Sequence, residues 1–444
     1  MSAKLRVATL GCKVNQYETE LVRQGLQNIG YQDCDDQSSA DVCLVNTCTV
    51  TNEGDAKSRQ VIRRMARQNP EAKIVVMGCY ATRAPDEVGS LPGVSEVVTD
   101  KRELPDLMSR FGVIDVPTGL DGFSGRHRAY VKVQDGCLLR CSYCIIPMVR
   151  PKLTSRPLQE IVDEVGRLID AGHREVVLTG IHLGHYGVDW NRNQPRENWV
   201  RLANLMEKLA TLPGDFRIRL SSIEATEVTR QLIGVMKDHA ERIVPHLHLC
   251  LQAGSDSVLR RMRRRWGTRM FLDRCQMLRE ALDRPAITTD VIAGFPGETE
   301  DEFQQSLATC RSAGFSKIHA FPFSARRGTP AAEMANQITK DEKARRVDRL
   351  RELETELRRD YFAKLQSSRL QLLVESKRSF QTTERSGRQL LGPGQTSTLL
   401  RGTTCRYASA ELLHAGEADD YQTGDLIDVT VAESHDDRLI VCKV

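Results

Sequence analysis

The chain has 444 residues, enough for two or three domains that each bury a core. Charged residues make up 27% and hydrophobic ones 40%, which excludes a disordered or fibrous chain. A net charge of +4 permits an anionic partner without demanding one, and no apolar run approaches the ~20 residues of a membrane span.

The amino terminus, MSAKLRVATLGC, enters a strand-like segment at once and lacks the apolar stretch and cleavage site of a signal peptide. A cytoplasmic protein is expected, with no membrane partner. Its 13 cysteines are then read as thiols and metal ligands rather than disulfides.

Residues 1–115 alternate β-branched runs with amphipathic helical patterns, which predicts a parallel α/β domain with strands at 5–9, 42–45, 74–77 and 94–98. Cys12, Cys48 and Cys79 each fall just after one of the first three strands. Ligands gather at the carboxyl ends of parallel strands, so this placement brings three thiols toward one sheet edge. The other reading of each is a small buried hydrophobe. Cys34 and Cys43 fall outside the pattern, and Cys43, inside a strand, reads as core.

A link at 116–126 leads to six strand-then-helix units between 130 and 324, with strands at 130–133, 175–178, 217–221, 246–251, 287–292 and 317–321. Six such units predict a partial barrel rather than a complete one of eight. Cys137, Cys141 and Cys144, in DGCLLRCSYCIIP, follow the first of these strands, at the end where barrel active sites sit. Structural zinc normally takes four protein ligands. The next histidine, His173, lies across a predicted helix at 158–171, and no second C-x2-C pair exists. An iron–sulfur cluster fits better. Clusters usually take four thiolates, so three leave one iron open to a ligand that is not protein.

In the strand beginning at His246, the residues His246, His248, Cys250 and Gln252 share one face, and three leucines share the other. Thr288 and Asp290 share a face of the next strand. This pattern predicts a polar barrel lumen; an edge strand with a wet face is the alternative. The run RRMRRRW, Arg260 to Trp266, is read either as phosphate contact with base stacking or as a solvated helix face. GFPGE at 294–298 lacks the Gly-Lys-Ser/Thr of a phosphate loop and reads as a barrel-end turn. A charged amphipathic helix follows at 340–366, with Val347, Leu350, Leu353 and Leu357 apolar. Segments such as 370–374, 426–431 and 439–444 then predict a small β-barrel.

C-x3-C-x2-C after the first strand of a six-unit barrel resembles the radical S-adenosylmethionine (SAM) enzymes. GCKVNQYETE (11–20), VNTCTVT (45–51), DAKSRQ (55–60) and GCY (78–80) resemble the amino-terminal domain of the methylthiotransferases within that superfamily. LTGIHLGHYG (178–187), LSSIE (220–224), HLHLCLQAGSD (246–256) and TTDVIAGFPGETEDEF (288–303) extend the resemblance through the barrel. VNQYETE after Cys12 and CTVT at Cys48 are most similar to the threonylcarbamoyladenosine tRNA branch. The usual polar residues after Cys137 are Leu138 and Leu139 here, and Met148-Val149 replaces a more typical Tyr-Ala pair.

The resemblance implies three domains: 1–115, binding an auxiliary 4Fe–4S cluster; 126–368, the radical SAM core with its trailing helix; and 369–444, a TRAM-like RNA-binding barrel. Cys137, Cys141 and Cys144 would hold the cluster that cleaves SAM, and Cys12, Cys48 and Cys79 the one that carries sulfur. Tyr143 matches an aromatic near the adenine of SAM in the family. The lumen positions Thr179, Gly180, Ser222, Gln252 and Asp290 are further candidate SAM contacts. The implied reaction is methylthiolation of carbon 2 of N6-threonylcarbamoyladenosine beside the anticodon. Its implied partners are the tRNA anticodon loop, an electron donor such as flavodoxin or ferredoxin, and a sulfur source. Isopentenyladenosine or a ribosomal-protein aspartate is the alternative substrate, and a non-catalytic RNA-binding protein retaining the clusters is an alternative of another class.

Overall fold

The computed structural model describes residues 3–34, 38–381, 396–415 and 421–444. The chain begins with β1 (Lys4–Thr9), α1 (Lys13–Asn28), β2 (Gln32–Asp33), β3 (Val42–Thr47), α2 (Asn52–Gln68), β4 (Lys73–Gly78), α3 (Cys79–Arg83) and β5 (Val94–Val97). The strands form one parallel sheet in the order β2-β1-β3-β4-β5. Every residue of the central β3 is buried, as expected for a parallel strand covered on both faces. Leu44 joins the core under one face and Cys43 and Val45 that under the other.

Next come β6 (Arg128–Asp135), β7 (Thr154–Ser155), β8 (Glu175–Gly180), β9 (Arg217–Leu220), β10 (Ser222–Ile223), β11 (His246–Leu249), β12 (Ala286–Ala293) and β13 (Lys317–Pro322). Only Ser221 separates β9 from β10, so the parallel strands run as one curved wall, β6-β8-β9/β10-β11-β12-β13, with β7 antiparallel at its edge. This is a partial barrel of six units. Leu247, Leu249 and Leu251 are fully buried. The strand stops at Leu249, two residues short of the sequence-based boundary. Gln252 takes φ 64 and rejoins β12 beyond this kink, donating to the Asp290 carbonyl at 2.9 Å. The GFPGE segment is a turn: Glu298 accepts from the Gly294 N–H at 2.7 Å and from Arg346 at 2.6 Å.

The helix Lys340–Ala363 buries Val347, Leu350, Leu353 and Leu357 in the barrel core. After it, β14 (Arg369–Gln381), β15 (Thr396–Thr404), β16 (Ser409–Ala415), β17 (Leu426–Ser434) and β18 (Leu439–Lys443) close into a barrel. Among the described residues no helix is long and apolar enough to cross a membrane.

The small barrel docks on the amino-terminal ends of the central strands through buried charge. Glu175 accepts from Arg217 at 2.6 Å and from Arg219 at 2.8 Å. The same arginines donate across the junction, Arg217 to the carbonyls of Gln371 (2.9 Å) and Thr403 (2.8 Å) and Arg219 to that of Thr404 (3.0 Å). Burial alone would raise the Glu175 carboxyl, but Arg219 and Arg217 hold it down to about 2. A depressed carboxyl stabilises the fold above its unfolded pKa of ~4.3, and that contribution is lost as pH falls toward the folded value. Acid titration followed by circular dichroism should therefore show a fall in stability across roughly pH 4 to 2 that is much flatter in Glu175→Gln. Equal slopes in the two proteins would refute this assignment.

Candidate active site

Cys12 is the N-cap of α1, Cys48 directly follows β3, and Cys79 opens α3 directly after β4. The three cysteines thus stand at the carboxyl ends of three adjacent parallel strands. Their sulfurs lie within electrostatic reach of one another. Asn15 ties two of these turns together, donating to the carbonyls of Leu10 (2.9 Å) and Thr47 (3.0 Å). The Thr47 hydroxyl ties in the third, donating to the Met77 carbonyl at 2.7 Å and accepting from the Ala81 N–H at 3.2 Å. Two glycines keep the space clear. A Cβ on Gly11 would stand 3.4 Å from the Cys48 sulfur, and one on Gly78, at φ +99, would collide with the backbone of Thr47 at 2.5 Å. Cys12 is solvent-accessible, and crowding by surrounding groups raises its thiol against the opposing effect of Arg150.

The second set follows β6. Gly136 turns the chain at φ +75, where a Cβ would meet the Lys152 carbonyl at 2.0 Å. N–H donors then point at the sulfurs, the Leu139 amide at Cys137 (3.4 Å) and Arg264 at Cys141 (3.3 Å). His182 Nδ1 lies 3.6 Å from Cys137. Burial alone would lower the His182 imidazole, but Cys137 and Glu227 raise it to about 9. His185 stacks on it at 3.6 Å and is pushed by burial and by His182 to about 4. Burial pushes the Cys144 thiol up to about 12. Such thiols stay protonated and inert unless a metal takes the proton's place. Two sets of three free thiols, spaced by glycines and met by N–H donors, fit iron–sulfur clusters with one open iron each.

The two sets face one interdomain boundary. Helix α3, which begins at Cys79, packs on the helix Ile146–Val149, which starts just after Cys144. Buried charges join the domains. Arg150 donates to Glu18 (2.7 Å), Asp135 (2.7 Å) and Asn15 (3.0 Å), and Lys132 pairs with Glu18 at 2.7 Å. Burial opposes ionisation of Glu18, yet Arg150 and Lys132 hold its carboxyl below the usual range. A second joint links Arg326 to Asp55 (2.7 Å) and Thr49 (2.8 Å), beside Arg83. A cavity of about 210 Å³ opens beside Cys141, lined by Leu139, His185, Glu224 and Arg263 to Trp266. A larger one, about 540 Å³, is an interdomain crevice over the Glu18–Arg150 network and contains none of the six cysteines.

Residues 4–100 match the family described as Uncharacterized protein family UPF0004, and residues 131–310 match the Radical SAM superfamily. A Bacillus subtilis (strain 168) protein named threonylcarbamoyladenosine tRNA methylthiotransferase MtaB is 42% identical over 398 residues, covering 85% of each chain. The chain belongs to the radical SAM methylthiotransferase family.

A Thermotoga maritima relative with the same name as the Bacillus protein is 37% identical, covering 78% of this methylthiotransferase and 81% of the relative. An Aquifex aeolicus tRNA-2-methylthio-N(6)-dimethylallyladenosine synthase is 32% identical over 85% of this chain and 89% of its own. Among solved structures, the radical SAM methyltransferase TsrM from Kitasatospora setae aligns with TM-score 0.55 at 13% identity, covering 74% of this chain and 77% of its own, a likeness of fold.

The other sequence-predicted residues of this methylthiotransferase divide into groups. Tyr143 sits with the second set of cysteines, its phenol raised by burial in the shared field of Arg264, Cys141 and Cys144. Thr179 and Gly180 end β8, with Gly180 packed on Gln134. Ser222, in β10, lies beside Cys250, the residue after β11. Asp290 lies 3.3 Å from His248 and forms a cluster with it and His319. Gln252 sits at the kink, with φ 64, and pairs with β12. The basic run does not act as one surface. Arg264 turns inward to Cys141 and Glu224, Arg261 pairs with Glu302 at 2.7 Å, and Trp266 is buried against Phe271, whereas Arg260, Arg263 and Arg265 stay exposed. Arg150 lies in no sequence motif, whereas Asn15 and Thr47 stand inside the cysteine motifs and Arg264 inside the basic run, and only the contacts assign their roles.

Proposed function

We propose that this enzyme methylthiolates carbon 2 of N6-threonylcarbamoyladenosine beside the tRNA anticodon. The observation that carries this reading is the convergence of two three-cysteine sets from two domains on one boundary. The relatives named for threonylcarbamoyladenosine, at 37–42% identity, support the substrate.

In this reading Cys137, Cys141 and Cys144 hold one 4Fe–4S cluster, and Cys12, Cys48 and Cys79 the other. When bound, the clusters and SAM supply one-electron chemistry and the methylthio group, which the unactivated aromatic C–H requires because no side chain can deprotonate it at neutral pH. The protein's own part is to bind, orient and exclude water. Tyr143, Thr179, Gly180, Ser222, Gln252 and Asp290 border the SAM space. Arg264, held between Cys141 and Glu224, and His182, 3.6 Å from Cys137, stabilise thiolate charge at the core set. The three units take the boundaries 1–115, 126–368 and 369–444, the last contacting RNA. An electron donor of the flavodoxin or ferredoxin type, a sulfur source and tRNA are its cytoplasmic partners.

Mass spectrometry of tRNA nucleosides from cells lacking the gene should show loss of the methylthiolated threonylcarbamoyl product. If that product persists while a methylthiolated dimethylallyl species disappears, the substrate is the one named for the Aquifex synthase, which the chain matches over a similar length.

A further inference from the structure

Three adjacent strands bring two imidazoles and a carboxylate to one face of the barrel wall. Asp290 of β12 and His319 of β13 are register partners, and His248 of β11 pairs with Thr288, two residues before Asp290. Side chains alternate along a strand, so these four residues share the face opposite the buried Leu247 and Leu249. On that face His248 Nε2 lies 3.3 Å from Asp290 Oδ2. One donor atom from each of His248, Asp290 and His319 lies within 4.8 Å of the other two.

The two ring nitrogens of His248 have different surroundings. Nδ1 lies 3.0 Å from the hydroxyl of the buried Thr288, which also meets His246 Nε2 at 3.1 Å. That hydroxyl can accept from His248 Nδ1–H while donating to His246, and His246 is itself buried and stacked on Tyr407. The His248 ring is thus held from behind with the lone pair of Nε2 turned toward Asp290. Nε2 is buried and, among the described residues, has no hydrogen-bond partner, although a carboxylate stands beside it. A histidine–aspartate pair kept for stability alone would satisfy that atom. One ring nitrogen fixed by an inner polar group and the other left free is how metal-binding histidines are oriented.

The spacing suits a cation. Bonds of about 2.0–2.1 Å in a tetrahedral site put neighbouring donor atoms about 3.3 Å apart. His248 and Asp290 already stand at that separation, and rotation of the half-buried His319 brings in the third donor. The Asp290 side chain is 32% exposed, which leaves a way in.

We propose that His248, Asp290 and His319 bind a divalent cation of the zinc class in the barrel lumen, with Thr288 as the positioning residue behind His248. Two imidazoles and a carboxylate suit zinc better than magnesium or calcium, which prefer oxygen alone. Three protein ligands leave one position open to water or to an oxygen of a lumen ligand. None of the three residues belongs to either cysteine set, so this site goes beyond the two clusters.

The test uses the full-length enzyme, without a histidine tag and with both clusters loaded so that the six thiols are occupied. One equivalent of zinc is added, the protein is desalted, and the metal is counted by mass spectrometry. Wild type should retain about one zinc per chain, with an X-ray absorption shell of nitrogen and oxygen at about 2.0–2.1 Å and no sulfur at about 2.3 Å. His319→Ala and Asp290→Asn should retain none, with iron content unchanged. Thr288→Val should hold zinc about 10–100-fold more weakly against a competing chelator. Absence of zinc from wild type or a sulfur shell in its spectrum would overturn the assignment, whether or not a variant folds. Zinc kept in full by His319→Ala would overturn it too, and would point to His182, His185 and Glu227, a second such group among the described residues.

Discussion

Cys79→Ala should bind roughly half the iron of the wild-type protein and lose methylthiolation while still cleaving SAM. The two cysteine sets are separate in the chain and are held by separate hydrogen-bond networks. Asn15 and Thr47 organise Cys12, Cys48 and Cys79, whereas Leu139, Arg264 and His182 meet Cys137 and Cys141. Loss of one thiol should therefore disable one cluster and spare the other. Iron and sulfide analysis, with 5′-deoxyadenosine counted by chromatography, reads both halves of the expectation. An iron content equal to wild type would count against the amino-terminal site. Loss of SAM cleavage together with all the iron would show that the two sites assemble as one.

Arg150→Met should destabilise the apo-protein by about 3–5 kcal/mol, because it strips the shared cation from two carboxylates. Arg150 and Glu18 are each 2% exposed at the side chain, and Asp135 is 19% exposed. Lys132 remains to neutralise part of the charge, since it contacts both Glu18 (2.7 Å) and Asp135 (2.6 Å). Arg150 also holds Asn15, so the damage should reach the turn that carries Cys12. The double variant Glu18→Gln/Arg150→Met should recover part of the lost stability, because it removes an uncompensated buried charge along with its partner. Guanidinium titrations of the three proteins provide the measurement. An Arg150→Met midpoint equal to wild type would mean that these ion pairs do not hold the two domains together.

Much of the architecture could be read along the chain. Parallel strands covered on both faces must be apolar throughout, and β3 and β4 carry that signal in VCLV and IVVM. Turn chemistry set the GFPGE segment, since two glycines with positive φ precede a carboxylate that folds back on the backbone. The helix Lys340–Ala363 declared its buried stripe by spacing alone. The β11 boundary was less legible. A period-two pattern continues through Gln252, but the positive φ there belongs to the tertiary fit against β12, not to a glycine or proline that sequence would flag. The basic run misled in the same way. Composition gives five arginines one character, while the fold sends Arg264 to a cysteine, Arg261 to a glutamate and three to solvent.

By itself the sequence determined the cysteine spacing, its place after particular strands and hence the candidate chemistry, because strand ends and thiol ligands are local properties. Only the tertiary structure decided that the two sets share a boundary and that Arg150 and Arg326 secure it. Glu18 and Arg150 are separated by 132 positions and Asp55 and Arg326 by 271, and no local pattern couples residues so far apart. Their pairing follows from how two domains exclude water between them, since a desolvated charge is stable only beside opposite charge.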